Sequence, residues 1–308
     1  MDNLTHSLIG AALGQAGLKR KTGLAMPALI LAANLPDIDA PCVVFGVESL
    51  AMRRGITHGP IALAVLPVLL ALGLSRFDRW QARRGTRPAA RAPVRFGWLL
   101  ALCYIGTFSH PLFDWFNNYG IRLLEPISGQ WFYGDTLFIV DIWILTMLGA
   151  GIWFSLRREA AGAIGWTRPA RAALAGLVAY VLVNLGISSL AVTMVRGDVP
   201  YPEVAVANAV PIAFWRREVL WRSVDGRHGA IACSWGNCRR TLLDARPTNM
   251  ADPRIALWAR NDPAARAFLS WSRMPVAELH PDRIVLTDQR FAASPVRSGF
   301  TVTLRATR

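Results

Sequence analysis

Asp37 and Asp39 in the run Pro36-Asp37-Ile38-Asp39, His58 ahead of Gly59, and the pair His110 and Asp114 four residues apart are acids and imidazoles set inside or beside apolar segments. Ionisable groups are expensive there and mark functional sites. Carboxylates and imidazoles without thiolates suit borderline to hard divalent ions, so the set predicts a site for zinc, with manganese or iron as alternatives. A metal held this way activates water and polarises a carbonyl or phosphoryl oxygen, and Asp37 or Asp39 can serve as proton acceptor or bridge between ions. Hydrolysis is the reaction class this predicts. His6 joins the set from the start of the chain. Each residue also has a plainer reading. His110 and Asp114 share one helical face and suit a structural hydrogen bond, Pro36 to Asp39 suits a helix stop, and His58 suits a helix start.

The elements that must position these groups follow from composition. The chain has 308 residues, 53% of them hydrophobic, and its mean hydropathy is positive. That exceeds what an ordinary soluble protein carries and predicts several membrane spans. Four apolar helices are expected at 60–75, 96–113, 137–156 and 172–195. Two shorter arms at 4–18 and 23–36, joined by Lys19-Arg20-Lys21, form a helical hairpin too short to span alone, about 20 Å per arm. Gly10 and Gly14 give the first arm a face for close backbone approach. The N-terminus is expected to be retained, because its positive charges follow the apolar stretch instead of preceding it as in a signal peptide.

Basic residues orient the helices. Lys19 to Lys21, the seven arginines between Arg76 and Arg95, and the four between Arg157 and Arg171 belong on the cytoplasmic side. Six crossings then leave both termini outside. His6, Asp37, Asp39, His58, His110 and Asp114 fall at one depth near the outer face. Asp135, Asp141 and Asn118 are expected to orient the imidazoles or add ligands, while Arg54 and Arg122 are left on the outer side, where they can meet an anionic substrate. Cys42 and Cys103, in apolar segments, are expected to pack and not to ligate.

Several motifs now come together in order: Met1-Asp-Asn-Leu-Thr-His6, Leu35-Pro-Asp37-Ile-Asp39, Arg54-Gly-Ile-Thr-His58, His110-Pro-Leu-Phe-Asp114 and Asp135 to Asp141. Over roughly the first 160 residues the chain resembles the LexA-regulated, membrane-bound metal-dependent hydrolase-like family, the YdjM type of bacterial inner-membrane protein. The resemblance implies a multi-pass inner-membrane hydrolase of undefined substrate. The order His6, Asp37, His58, His110 and Asp114 is also distantly similar to zinc-dependent phospholipase C and the related single-strand nucleases, which implies a phosphoester substrate by analogy. Those enzymes use more histidines than the three found here, so one or two metals are expected.

The last third is polar and Arg-rich, with the boundary at 196–202. Residues 1–195 therefore form the helical membrane domain and 196–308 a small soluble α+β domain, expected to be periplasmic. Alternation predicts strands at 217–224, 229–235, 283–287 and 299–304, and Asp262-Pro263 opens a helix through Trp271. In an oxidising compartment Cys233 and Cys238 can close a short disulfide loop, with two free thiols as the alternative. The formal net charge of +14 is spread without a recognition motif, so no specific nucleic-acid partner is expected, and membrane lipid is the favoured neighbour. The whole points to an inner-membrane, metal-dependent hydrolase acting on a phosphoester or lipid-derived substrate at the outer face. The rival reading is an envelope protein with a structural metal and a partner-binding C-terminal domain, and a third is a transporter of ions or protons.

Overall fold

Asp2 caps the first helix, α1 (Asn3–Gln15), by accepting a hydrogen bond from the Thr5 amide at 3.0 Å. The hairpin partner α2 (Ala25–Asn34) follows after the Lys19 to Lys21 turn, and a run of 310 turns, Leu35–Ala51, continues from it. Pro36 has no N–H to bond the Ala32 carbonyl, which accepts instead from the Leu35 amide three residues on, the hydrogen bond of a 310 turn. Then come α3 (Pro60–Arg83), with proline in its first turn, α4 (Phe96–Trp115), α5 (Ile142–Ala160) and α6 (Arg168–Asp198). The computed structural model describes residues 1–292 and 297–305.

Four stretches among the described residues are long and apolar enough to cross a membrane: Ala25–Ala51, Pro60–Arg83, Phe96–Trp115 and Arg168–Asp198. The expected span at 137–156 is corrected. The helix there starts later, at Ile142, after Asp141, and its last turn carries Arg157 and Arg158 followed by Glu159. Asp141 caps α5 through the amides of Trp143 and Ile144 and accepts from the Tyr180 hydroxyl at 2.9 Å.

The chain divides into two compact units, Met1–Ile38 with Arg54–Val183, and Asp39–Arg53 with Asn184–Arg308. In the first, α2 is central. A side chain at Gly10 of α1 would sit 2.6 Å from the Leu29 carbonyl oxygen, and one at Gly106 of α4 would sit 2.7 Å from the Ala32 Cβ. Both glycines therefore let a neighbouring helix lie directly against α2, over a core that includes Leu29, Ala32, Leu99 and Leu102. His6 is one turn before Gly10 and His110 one turn after Gly106, so these two close contacts aim both imidazoles at the C-terminal end of α2.

The second unit is β-rich. Strands β1 (Pro202–Ala209), β2 (Arg216–Ser223), β3 (Arg227–Ser234) and β4 (Asn237–Pro247) form an antiparallel sheet in sequential order. Helices α7 (Pro253–Ala259) and α8 (Pro263–Trp271) precede a three-stranded antiparallel sheet of β5 (Pro275–Leu279), β6 (Arg283–Asp288) and β7 (Thr301–Arg305). The expected helix after Asp262 is present, with that carboxylate accepting from the Ala265 amide at 3.0 Å. β1, β4, β5 and α7 lie outside the sequence-based expectation. β4 mixes Arg239, Arg240 and Asp244 with its apolar residues, and β5 is only five residues long, so neither offers a sustained alternation. Cys233 and Cys238 are joined by a disulfide. Arg217, fully buried, ties β2 to the C-terminal half of α6 by donating to Ser188 Oγ and Asn184 Oδ1, both at 2.8 Å. Those two buried polar residues of α6 thereby find a partner.

Candidate metal centre

His110 is the best determined of the site residues. Its Nδ1 lies 2.7 Å from the Ala33 carbonyl, one of the oxygens left unpaired at the end of α2. A carbonyl can only accept, so Nδ1 carries the proton and the lone pair on Nε2 is free to bind. His58 comes from the short 310 turn Ile56–His58 just before α3, with its Nδ1 2.9 Å from Thr57 Oγ1. Its Nε2 faces the Nε2 of His110 at 3.2 Å.

Two carboxylates complete the group. Asp114 Oδ2 stands 3.4 Å from His110 Nε2 and 3.6 Å from His58 Nε2. Asp37 Oδ1 stands 3.7 Å from His110 Nε2 and 3.9 Å from His58 Nε2. One donor atom from each of Asp37, His58, His110 and Asp114 lies within 4.8 Å of the others, and all four residues are buried. Donors about 2.0 to 2.1 Å from a central zinc ion sit on tetrahedron edges of about 3.3 Å. Five of the six separations, 3.2 to 3.9 Å, bracket that edge and the sixth, between the two carboxylates, is under 4.8 Å, so the four residues suit one divalent ion.

Asp114 works through both of its oxygens. While Oδ2 turns to the imidazoles, Oδ1 receives the Met1 amino group, Arg54 Nη2 at 3.1 Å and His6 Nε2 at 3.3 Å. His6 is therefore placed on the outer oxygen of Asp114, with its ring stacked 3.8 Å from that of His110, and is not one of the four. Asp39, expected to share the metal with Asp37, is buried and belongs to the second compact unit. It too stands outside the group of four.

The two arginines expected to meet a substrate anion are engaged by the protein's own groups. Arg54, buried with φ of 53°, bonds Asp114, Asn117 Oδ1 at 3.0 Å and the Gly120 carbonyl, and lies over the Tyr119 ring. Desolvating a guanidinium requires such partners, which is why it turns inward. Arg122 pairs with Glu125 at 2.8 Å and lies over Trp131. Asn117 is the bracket for Arg54 and also accepts from the Tyr119 amide at 2.8 Å. Asn118 is half-buried in the same turn, and Asp135 sits at φ 48° in the loop leading to α5. The contact of the Met1 amino group was not anticipated. Nothing in residue spacing signals it, because it depends on where α1 docks.

A family model described as YdjM inner membrane protein matches residues 1–192, the stretch that contains all four residues of the group. No curated protein and no solved structure matches the chain.

Proposed function

This chain belongs to the YdjM inner membrane protein family, and we propose that within it Asp37, His58, His110 and Asp114 hold a divalent cation, zinc first, at the centre of a membrane hydrolase. The observation that carries the reading is the convergence of two imidazole nitrogens and two carboxylate oxygens, all buried, at spacings that suit one ion. Its substrate is a phosphoester or a lipid-derived ester at the outer face of the inner membrane. The phosphoester class rests on the order of acids and imidazoles read in the sequence, and the side rests on the positive-inside reading of the arginine loops.

The chain's own residues divide the work. Ala33 holds His110 in the tautomer that leaves Nε2 free. Arg54 and His6 steady Asp114 through Oδ1, so Oδ2 stays directed at the imidazoles. Asp37, in the first turn of the 310 run after α2, is the group we assign to accept the proton of an attacking water. When bound, the ion supplies a Lewis acid and lowers the pKa of water. On the same reading the C-terminal unit lies in the periplasm, where the Cys233–Cys238 disulfide is stable.

The test is elemental analysis of the full chain purified in detergent, joined to an assay against a panel of phospholipids and phosphodiesters. Bound divalent metal is expected in the natural protein and its loss in Asp37→Ala, His58→Ala, His110→Ala and Asp114→Ala. Cleavage of at least one panel member should stop with chelator. A metal-free natural protein would sink the centre. Bound metal with no cleavage anywhere, and loss of metal together with fold in the variants, would favour the structural-metal reading over the enzyme.

A further inference from the structure

The opposite end of the first unit carries a second concentration of charge. On α4, Asp114 and the capping residue Arg95 are nineteen positions apart, about 28 Å along the helix. Around Arg95 lies a groove of about 530 Å³ whose wall includes Gly17, Arg20, Lys21, Trp98, Thr167 and Arg171. Among the described residues no carboxylate lines it.

Three neighbouring cations at this end are neutralised within the protein. Lys19 pairs with Glu159, and Arg87 and Arg91 both pair with Asp78 at 3.0 Å. The groove cations are treated differently. Among the described residues Arg20, Lys21 and Arg95 make no ion pair, Lys21 Nζ lies 4.8 Å over the Trp98 ring, and Arg171 donates to the Ala16 carbonyl at the end of α1 at 2.9 Å. Two helix N-termini, those of α4 at Arg95 and α6 beside Thr167, add partial positive charge to the same concavity. Four cations held this close repel one another and call for a counter-ion from outside the protein.

We propose that this groove binds the phosphate of an anionic phospholipid headgroup, with Arg20, Lys21, Arg95 and Arg171 as its cations and Trp98 at headgroup level. A basic pocket among membrane helices on the cytoplasmic side is suited to such a headgroup, and an amphipathic indole belongs at that depth. Arg20 also borders an adjoining groove walled by Leu24, Met26 and Pro27, an apolar shoulder for the acyl chain. Among the described residues no acid or imidazole lines the pocket, so the lipid is held and not cleaved there. The site is independent of the metal centre and stands whether or not the chain proves to be a hydrolase.

The experiment is native mass spectrometry of the full chain in detergent, titrated with phosphatidylglycerol, phosphatidylcholine or inorganic phosphate. Retention of phosphatidylglycerol well above phosphatidylcholine is expected, with each removed charge lowering it about fivefold. Arg20→Gln/Lys21→Gln is the primary variant because neither side chain is engaged in a hydrogen bond or ion pair, so folding is not at stake; adding Arg95→Gln and Arg171→Gln should abolish the preference. Arg76→Gln/Arg79→Gln/Arg83→Gln, which removes three charges from the exposed end of α3 outside the groove, should leave retention unchanged. The proposal is overturned by equal retention of the two lipids, by unchanged retention in the double variant, or by an equal fall in the α3 variant. It is also overturned by displacement of the lipid by millimolar inorganic phosphate, which would identify a soluble phosphate compound as the ligand.

Discussion

Replacing Gly106 by alanine tests the claim that close helix approach builds the metal centre. The added Cβ would fall 2.7 Å from Ala32 Cβ, 2.9 Å from the Leu29 oxygen and 3.2 Å from the Ala33 nitrogen. Carbon atoms settle at about 3.5 to 4.0 Å, so α2 and α4 must separate by about 1 Å locally. Overpacking of this kind costs about 1 to 3 kcal/mol. The same displacement stretches the 2.7 Å bond from His110 Nδ1 to the Ala33 oxygen, because both its ends lie within one turn of the clash. Loss of a bond that orients a metal-binding imidazole lowers metal affinity about 10 to 100-fold. Gly73→Ala in α3 is the control, since nothing lies within 4 Å of its Cβ position. There alanine should stabilise by about 0.5 to 1 kcal/mol through helix propensity alone. The assay is thermal unfolding in detergent with and without chelator, read beside metal content. Gly106→Ala with natural stability and full metal content would refute the reasoning, as would equal losses at Gly73.

The β-rich unit should lose stability on acidification. Burial lowers the His228 pKa, so as pH falls through about 6.5 the unfolded imidazole takes up a proton that the folded one resists. Burial pushes the Asp288 carboxyl up, but the Arg290 charge and hydrogen bonds from Arg290 and Ser272 outweigh it and hold it below the usual range. Its stabilisation is thus full above about pH 4 and lost as pH drops further. Hydrogen exchange across β3 and β6 should accelerate in those two steps after correction for intrinsic rates, and faster exchange toward neutral pH would contradict both. Asp288→Asn leaves the buried Arg290 uncompensated and should cost about 3 to 5 kcal/mol, seen as faster exchange in α8 and β6. Cys233→Ser/Cys238→Ser opens a loop with a separation of only five residues, for an expected loss of about 2 kcal/mol confined to the β2 to β4 sheet. No change in that sheet's protection on reduction would show that the bond does not constrain it.

Residue type and order alone delivered a large part of this protein. The apolar runs, the arginine loops and the switch to alternation after the last long helix marked a helical membrane region followed by a β-containing one. They did so because burial in lipid and burial against a sheet leave different periods in a sequence. The His110 and Asp114 pair was legible because four residues return a helix to one face. What spacing could not say is which oxygen of Asp114 meets which group. Packing of α1, α2 and α4 through Gly10 and Gly106 puts His6 and the Met1 amino group on Oδ1 and two other imidazoles on Oδ2. Arg54 and Asp141 looked like substrate and metal neighbours by charge alone. Tertiary structure gave one to a buried carboxylate and the other to a helix start, since a charge removed from water takes the nearest partner that desolvation allows. Chemistry-bearing residue types are a property of the chain, but coordination is a property of distances between segments far apart in sequence, and only the folded packing sets those.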